Sequence, residues 1–149
     1  MQVFICYAEP LKVAQTMWAD QKRYKRQIIE CRQIIAAIEG AKAWRNHPVC
    51  LMYKEHKEWL QDYMNCLRYY SDYKNGFMAS TIAQTFSDRA DTTRPPFLTE
   101  EFCNQHKRRL FTKAPNLYPH FASYGTSEEN WYCVSGEIVK YVNGKRVKE

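Results

Sequence analysis

The chain has 149 residues, 45% hydrophobic and 15% aromatic, with a formal net charge of +6; that length buries one sizeable core and leaves too little for a second. The aromatic content excludes disorder, no apolar run approaches the roughly 18 residues that cross a membrane, and the start, MQVFICYAEP, has no basic region ahead of a long apolar stretch, so a cytoplasmic protein is expected, nucleoid-associated if bacterial, with no membrane partner. Cys6, Cys31, Cys50, Cys66, Cys103 and Cys133 form no C-x-x-C pair and His47, His56, His106 and His120 share no ligand spacing, which predicts reduced, mostly buried thiols and no metal site.

In chain order, VFIC is a short apolar run, and Glu9-Pro10 turns into a helix, because Pro fits the first helical position. The pattern stays helical to Gly40. Asp20 suits the N-cap of a long helix whose apolar stripe runs Tyr24, Ile28, Cys31, Ile35 and Ile38, with Ile34 beside them, and Gly40 suits its terminator. Glu30 lies off that stripe, on a flanking one with Arg23, Arg26, Gln33 and Ala37. A second long helix opens at Pro48 and closes at Asn75-Gly76. Residues 77 to 98 lose the periodicity and read as a long, largely extended connection, with Arg94 ahead of two prolines. Thr99 caps a third helix, TEEFCNQHKRRLFTK, acidic at its start and basic at its end as the helix dipole favours. Ser135-Gly136 and Asn143-Gly144 are turn dipeptides between short β-prone runs. The expected fold is mainly α: a single compact domain over 1–149, with about three principal helices and long loops within 1–122, and a small C-terminal β-hairpin or meander over about 130–148.

Positive charge concentrates in QKRYKRQ (Lys22, Arg23, Lys25, Arg26), HKRRL (Lys107, Arg108, Arg109) and GKRVK near the C-terminus. Such runs bind polyanions by releasing counterions from phosphates, or are solvated faces, and charge alone leaves both open. Glu30 also has two readings. One is an i, i+4 ion pair with Arg26, worth roughly 0.3–0.5 kcal/mol on a helix surface; the other is a carboxylate held in place for chemistry.

Four pieces in order carry a resemblance: the apolar run that starts almost at the first residue, ADQKRYKRQIIE ending in Glu30, Pro48 followed eight residues later by His56, and HKEWLQDYMNCLRYY continuing that helix. Over about its first half the chain resembles the pyrimidine-dimer DNA glycosylase family, whose founding member is the phage enzyme endonuclease V. The later block HKRRLFTKAPNLYPHFASYGTSEENWYCVSG is similar to that enzyme's cellular relatives.

The resemblance implies a base-excision DNA repair enzyme, a glycosylase and abasic-site (AP) lyase that uses no metal or organic cofactor, with double-stranded DNA carrying damaged pyrimidines or abasic sites as its partner; a monomer is expected. In that family the α-amine of the first residue attacks C1′ and forms an imine, while a glutamate on the first long helix assists sugar opening and β-elimination. An α-amine has a pKa of about 7.7–8.0 and is partly unprotonated at neutral pH, where a lysine needs a shift of about three units to match it. A nearby carboxylate stabilises oxocarbenium charge and moves protons. On this chain the resemblance assigns the amine to Met1 and the carboxylate to Glu30, with His56 as a neighbour of that carboxylate.

Arg23 stands where relatives show a histidine and Arg26 lies one turn before Glu30, so either is suited to hold a phosphate near the amine. Gln2 is bulky, which favours retention of Met1, and Ile29 stands where the phage enzyme has an arginine, a departure that bears on substrate specificity more than on mechanism. Lys22, Lys25, Arg94, Lys107 and Arg108 are the expected DNA-binding cations. Trp131 and Tyr132, with Tyr124, either stack on an unpaired base or form the core of the C-terminal unit. The alternatives in function are a non-catalytic nucleic-acid-binding module on the same scaffold and a protein-interaction domain whose charge is incidental.

Overall fold

The computed structural model describes residues 2–148, so Met1 lies outside the described residues. The helices are α1 (Pro10–Met17), α2 (Gln21–Ile38), α3 (Pro48–Tyr53), α4 (Lys57–Lys74), α5 (Ser80–Thr92) and α6 (Glu100–Lys113); a 3-10 helix, Pro119–Tyr124, leads into strands β1 (Asn130–Val134), β2 (Glu137–Val142) and β3 (Lys145–Arg146). The mainly α single domain with a small terminal sheet is as expected.

The local signals act where the sequence puts them. Asp20 accepts the Arg23 N–H at the start of α2 and also the Tyr118 hydroxyl at 2.9 Å, and Thr99 accepts the Phe102 N–H at 3.2 Å to open α6. Gly40 (φ 112) and Gly76 (φ 81) follow the last turns of α2 and α4, where a left-handed residue suits glycine. Ser135-Gly136 and Asn143-Gly144 have positive φ at both positions, the turn that matches strand twist, and they join β1, β2 and β3 into an antiparallel meander.

Three expectations need correction. The stretch 77–98 is not an extended connection, because it contains α5, which packs on α4 and α1. Its buried positions are only Ala83, Ser87 and Ala90, side chains too small to show as an apolar stripe. The second long helix is broken into α3 and α4, and the break lets Trp59 stack between Tyr53 (6.0 Å) and Tyr63 (5.2 Å) in the core. Among the described residues there are thus six α-helices, where about three principal ones were expected.

The leading segment decides how the cleft is built. Val3, Phe4, Ile5 and Cys6 are all buried, yet no strand pairs with them; side chains satisfy their backbone instead. Gln27 of α2 accepts the Phe4 N–H at 2.8 Å and donates to the Phe4 carbonyl at 2.7 Å. Tyr63 of α4 donates to the same carbonyl at 3.2 Å and accepts from Gln27. His106 of α6 accepts the Ile5 N–H through Nδ1. The six cysteines are free and five are buried.

His106 is 1% exposed, and burial, then the nearby Arg109, pushes its pKa down to about 3. The fold therefore holds the neutral ring: this contribution is complete above the ordinary histidine pKa of about 6.5 and is lost at about 1.4 kcal/mol per pH unit as pH falls from there toward 3. Urea denaturation is expected to show stability falling below about pH 6.5, with a flatter profile for His106→Asn, which keeps an acceptor but does not titrate. An equal slope in both would contradict this.

Candidate active site

A cleft of about 660 Å³ lies where the first half of α2, the start of α3, the end of α6 and the sheet meet. Positions 22, 23, 26, 27 and 30 fall on one side of α2 at a spacing of three to four, and Lys22, Arg23, Arg26, Gln27 and Glu30 all line the cleft. Arg109 and Lys113, one turn apart on α6, face it from the other side. Five cations thus share the cleft with Glu30, the only acidic residue lining it among the described residues.

Glu30 is 12% exposed. Its Oε2 accepts the Gln2 N–H at 3.3 Å across 28 residues of sequence, and its Oε1 accepts from Arg26 Nε, also at 3.3 Å. The i, i+4 pair therefore exists, but it leaves the bond to the leading segment unexplained. Burial holds the Glu30 carboxyl above the usual range, opposed by the Gln2 amide and Arg26.

Two of the other cations are held in place. Arg23 bonds Asp20 Oδ2 at 3.3 Å. Arg109, 7% exposed, donates to Asn130 Oδ1 at 2.9 Å and the Ser127 carbonyl at 3.0 Å, with Glu128 at 3.6 Å. Burial lowers the Lys113 pKa, helped by Arg109 and Arg23 and opposed by Glu128 and Glu30. The remaining wall is aromatic and small: His47, Pro48, Tyr132, Tyr141 and Gly144, with Phe4 below the leading segment.

Of the residues singled out in the sequence, the structure brings together Lys22, Arg23, Arg26, Glu30 and Tyr132. The others lie elsewhere. His56 precedes α4 with its ring against Phe97 at 5.5 Å, and the histidine that lines the cleft is His47. Lys25 points to solvent, and Arg94 pairs with Asp91 beyond α5. Lys107 is buried, and its Nζ sits over the rings of Tyr7 (4.4 Å) and Tyr124 (4.6 Å). Arg108 ties α6 to the Tyr124 carbonyl at 3.0 Å. Trp131 bonds Glu129 and carries Lys140 over its ring at 4.7 Å. Gln27, His47, Arg109 and Lys113 were not picked out as site residues; only the phase of Arg109 and Lys113 on α6, one turn apart, offered a hint.

Among the described residues no His, Cys, Asp or Glu side chains gather as a metal ion would require, and no helix is long and apolar enough to cross a membrane. No curated protein and no solved structure matches the chain. Residues 1–71 match the family described as pyrimidine dimer DNA glycosylase, a stretch that takes in Gln27, Glu30 and His47 and leaves Arg109, Lys113 and the sheet beyond it. The first 71 residues are thus similar to a family of DNA glycosylases, in agreement with the resemblance read from the four N-terminal pieces.

Proposed function

We propose that this chain is a monomeric DNA glycosylase and abasic-site lyase acting on damaged pyrimidines in duplex DNA, with the α-amine of Met1 as nucleophile and Glu30 as acid, base and charge stabiliser. One observation carries this: a carboxylate in a cleft lined by five cations accepts the amide of Gln2, the residue joined directly to the one whose amine the chemistry uses. An amine, and a carboxyl group beside it that can take up and pass on protons, are what imine formation needs.

In the proposed reaction the amine nitrogen bonds C1′ as the bond from C1′ to the base breaks, and the base leaves with one of the two amine protons. Glu30 as the carboxylate stabilises the positive charge at C1′, takes the second amine proton and passes it to the ring oxygen, so that the sugar opens and the imine forms. Loss of a 2′ proton then expels the 3′ phosphate oxygen. Water hydrolyses the imine and restores the amine. Lys22, Arg23, Arg26, Arg109 and Lys113 pair with the phosphates.

Untagged protein incubated with ultraviolet-irradiated or abasic duplex and borohydride is expected to give a reduced covalent adduct; no adduct with either substrate would remove the enzymatic claim and leave a non-catalytic DNA-binding module. Independently, if all five cleft cations contact phosphate, log K against log salt should have a slope of about −4.5. A slope near zero would exclude DNA from the cleft.

A further inference from the structure

The loop between α2 and α3 places in the cleft one side chain that the proposed reaction does not use. His47 caps α3, its Nδ1 accepting the Val49 N–H at 3.1 Å. Its ring is held edge-on by Trp44 at 6.0 Å and Tyr132 at 5.7 Å. Trp44 has φ 64, a backbone conformation that bulky residues rarely take and that is kept where the surroundings enforce it.

The cap bond fixes the tautomer. With Nδ1 serving as acceptor, the single proton of the neutral ring sits on Nε2. Protonating Nδ1 would set one N–H against another, and burial also lowers the His47 pKa, so the ring stays neutral. It cannot act as a general base, because its only basic nitrogen is committed to the backbone. What it has left for the cleft is the Nε2–H. An uncharged donor also adds no further pull on the Glu30 carboxyl, whose proton affinity a sixth cation would lower.

We infer that His47 is a substrate-contacting residue whose Nε2–H donates to a sugar–phosphate oxygen at the lesion, a role that rests on the function proposed above. Five cations make the cleft complementary to the DNA backbone rather than to a base, and an abasic nucleotide offers only sugar and phosphate.

His47→Asn separates the two jobs of the ring. Asparagine is among the best N-caps, so it retains the bond to Val49 and removes Nε2. The variant is expected to melt with wild type and to form the borohydride-trapped adduct on an abasic duplex about 10- to 100-fold more slowly, the range of one hydrogen bond to a charged acceptor. Binding to a duplex with a non-reactive tetrahydrofuran abasic analogue should weaken as well. His47→Leu should lose both rate and stability. If wild type traps and His47→Asn matches it in rate and binding, the inference is wrong. If wild type forms no adduct, the proposed activity fails instead, and the binding arm still decides whether His47 touches DNA.

Discussion

Glu30→Gln is expected to slow adduct formation and strand cleavage by about 10²- to 10⁴-fold, the usual contribution of a positioned acid or base. The amide is nearly isosteric and still offers an oxygen to the Gln2 N–H, so the leading segment should stay in place. What disappears is the negative charge at C1′ and the proton the group can carry. Affinity for duplex should be unchanged or tighter, since the substitution removes a carboxylate from a cleft with five cations. Single-turnover trapping on an abasic duplex, with a binding isotherm beside it, separates the two effects. A variant that reacts at the wild-type rate would reduce Glu30 to its ion pair with Arg26.

Gln27→Leu should have the largest effect on stability, about 3–5 kcal/mol, from stranding a buried N–H and weakening the satisfaction of a carbonyl and a hydroxyl at roughly 1–3 kcal/mol each. Gln27 is 1% exposed, and its amide both donates to and accepts from Phe4 while touching the Tyr63 hydroxyl. Leucine fills similar volume and satisfies none of these groups. Gln33, exposed on the same helix, should tolerate leucine within about 0.5 kcal/mol. Urea denaturation of the two variants makes the comparison, and similar losses in both would mean that the leading segment is not held by Gln27.

How much of this was legible follows from the range over which each signal acts. Caps and turns are decided by neighbours in the chain, so Asp20, Thr99, Gly40 and the two glycine turns of the sheet could be read directly. The α2 side of the cleft was legible for the same reason, because helical phase alone groups Arg23, Arg26 and Glu30 away from the apolar stripe. Phase also limits what a run of charge can mean. Lys107, Arg108 and Arg109 are adjacent in sequence but about 100° apart around α6, so one is enclosed by aromatic rings, one braces the Tyr124 carbonyl and one reaches the cleft. Nothing in HKRRL says which is which until the sheet is docked.

Residues whose roles depend on distant partners stayed hidden. Gln27 looks like one more polar position on a basic helix, and only the threading of residues 3–6 beneath it makes it a clamp. His106 serves a backbone amide 101 residues away. His47 and His56 both flank the short α3, and spacing favoured the wrong one for the cleft. The family pattern reached Glu30 because it lies within residues 1–71, whereas Arg109, Lys113 and Tyr132 enter the cleft from outside that stretch.

The central claim is that the chain's α-amine is the nucleophile, and blocking it is the most direct measurement. Protein with a free terminus and protein acetylated there should bind an abasic duplex equally. Only the free form should yield a borohydride-stable adduct, mapping to Met1. An acetylated chain that traps at the same rate would contradict the account and move the imine to a lysine, with Lys113, which lines the cleft, the first position to map.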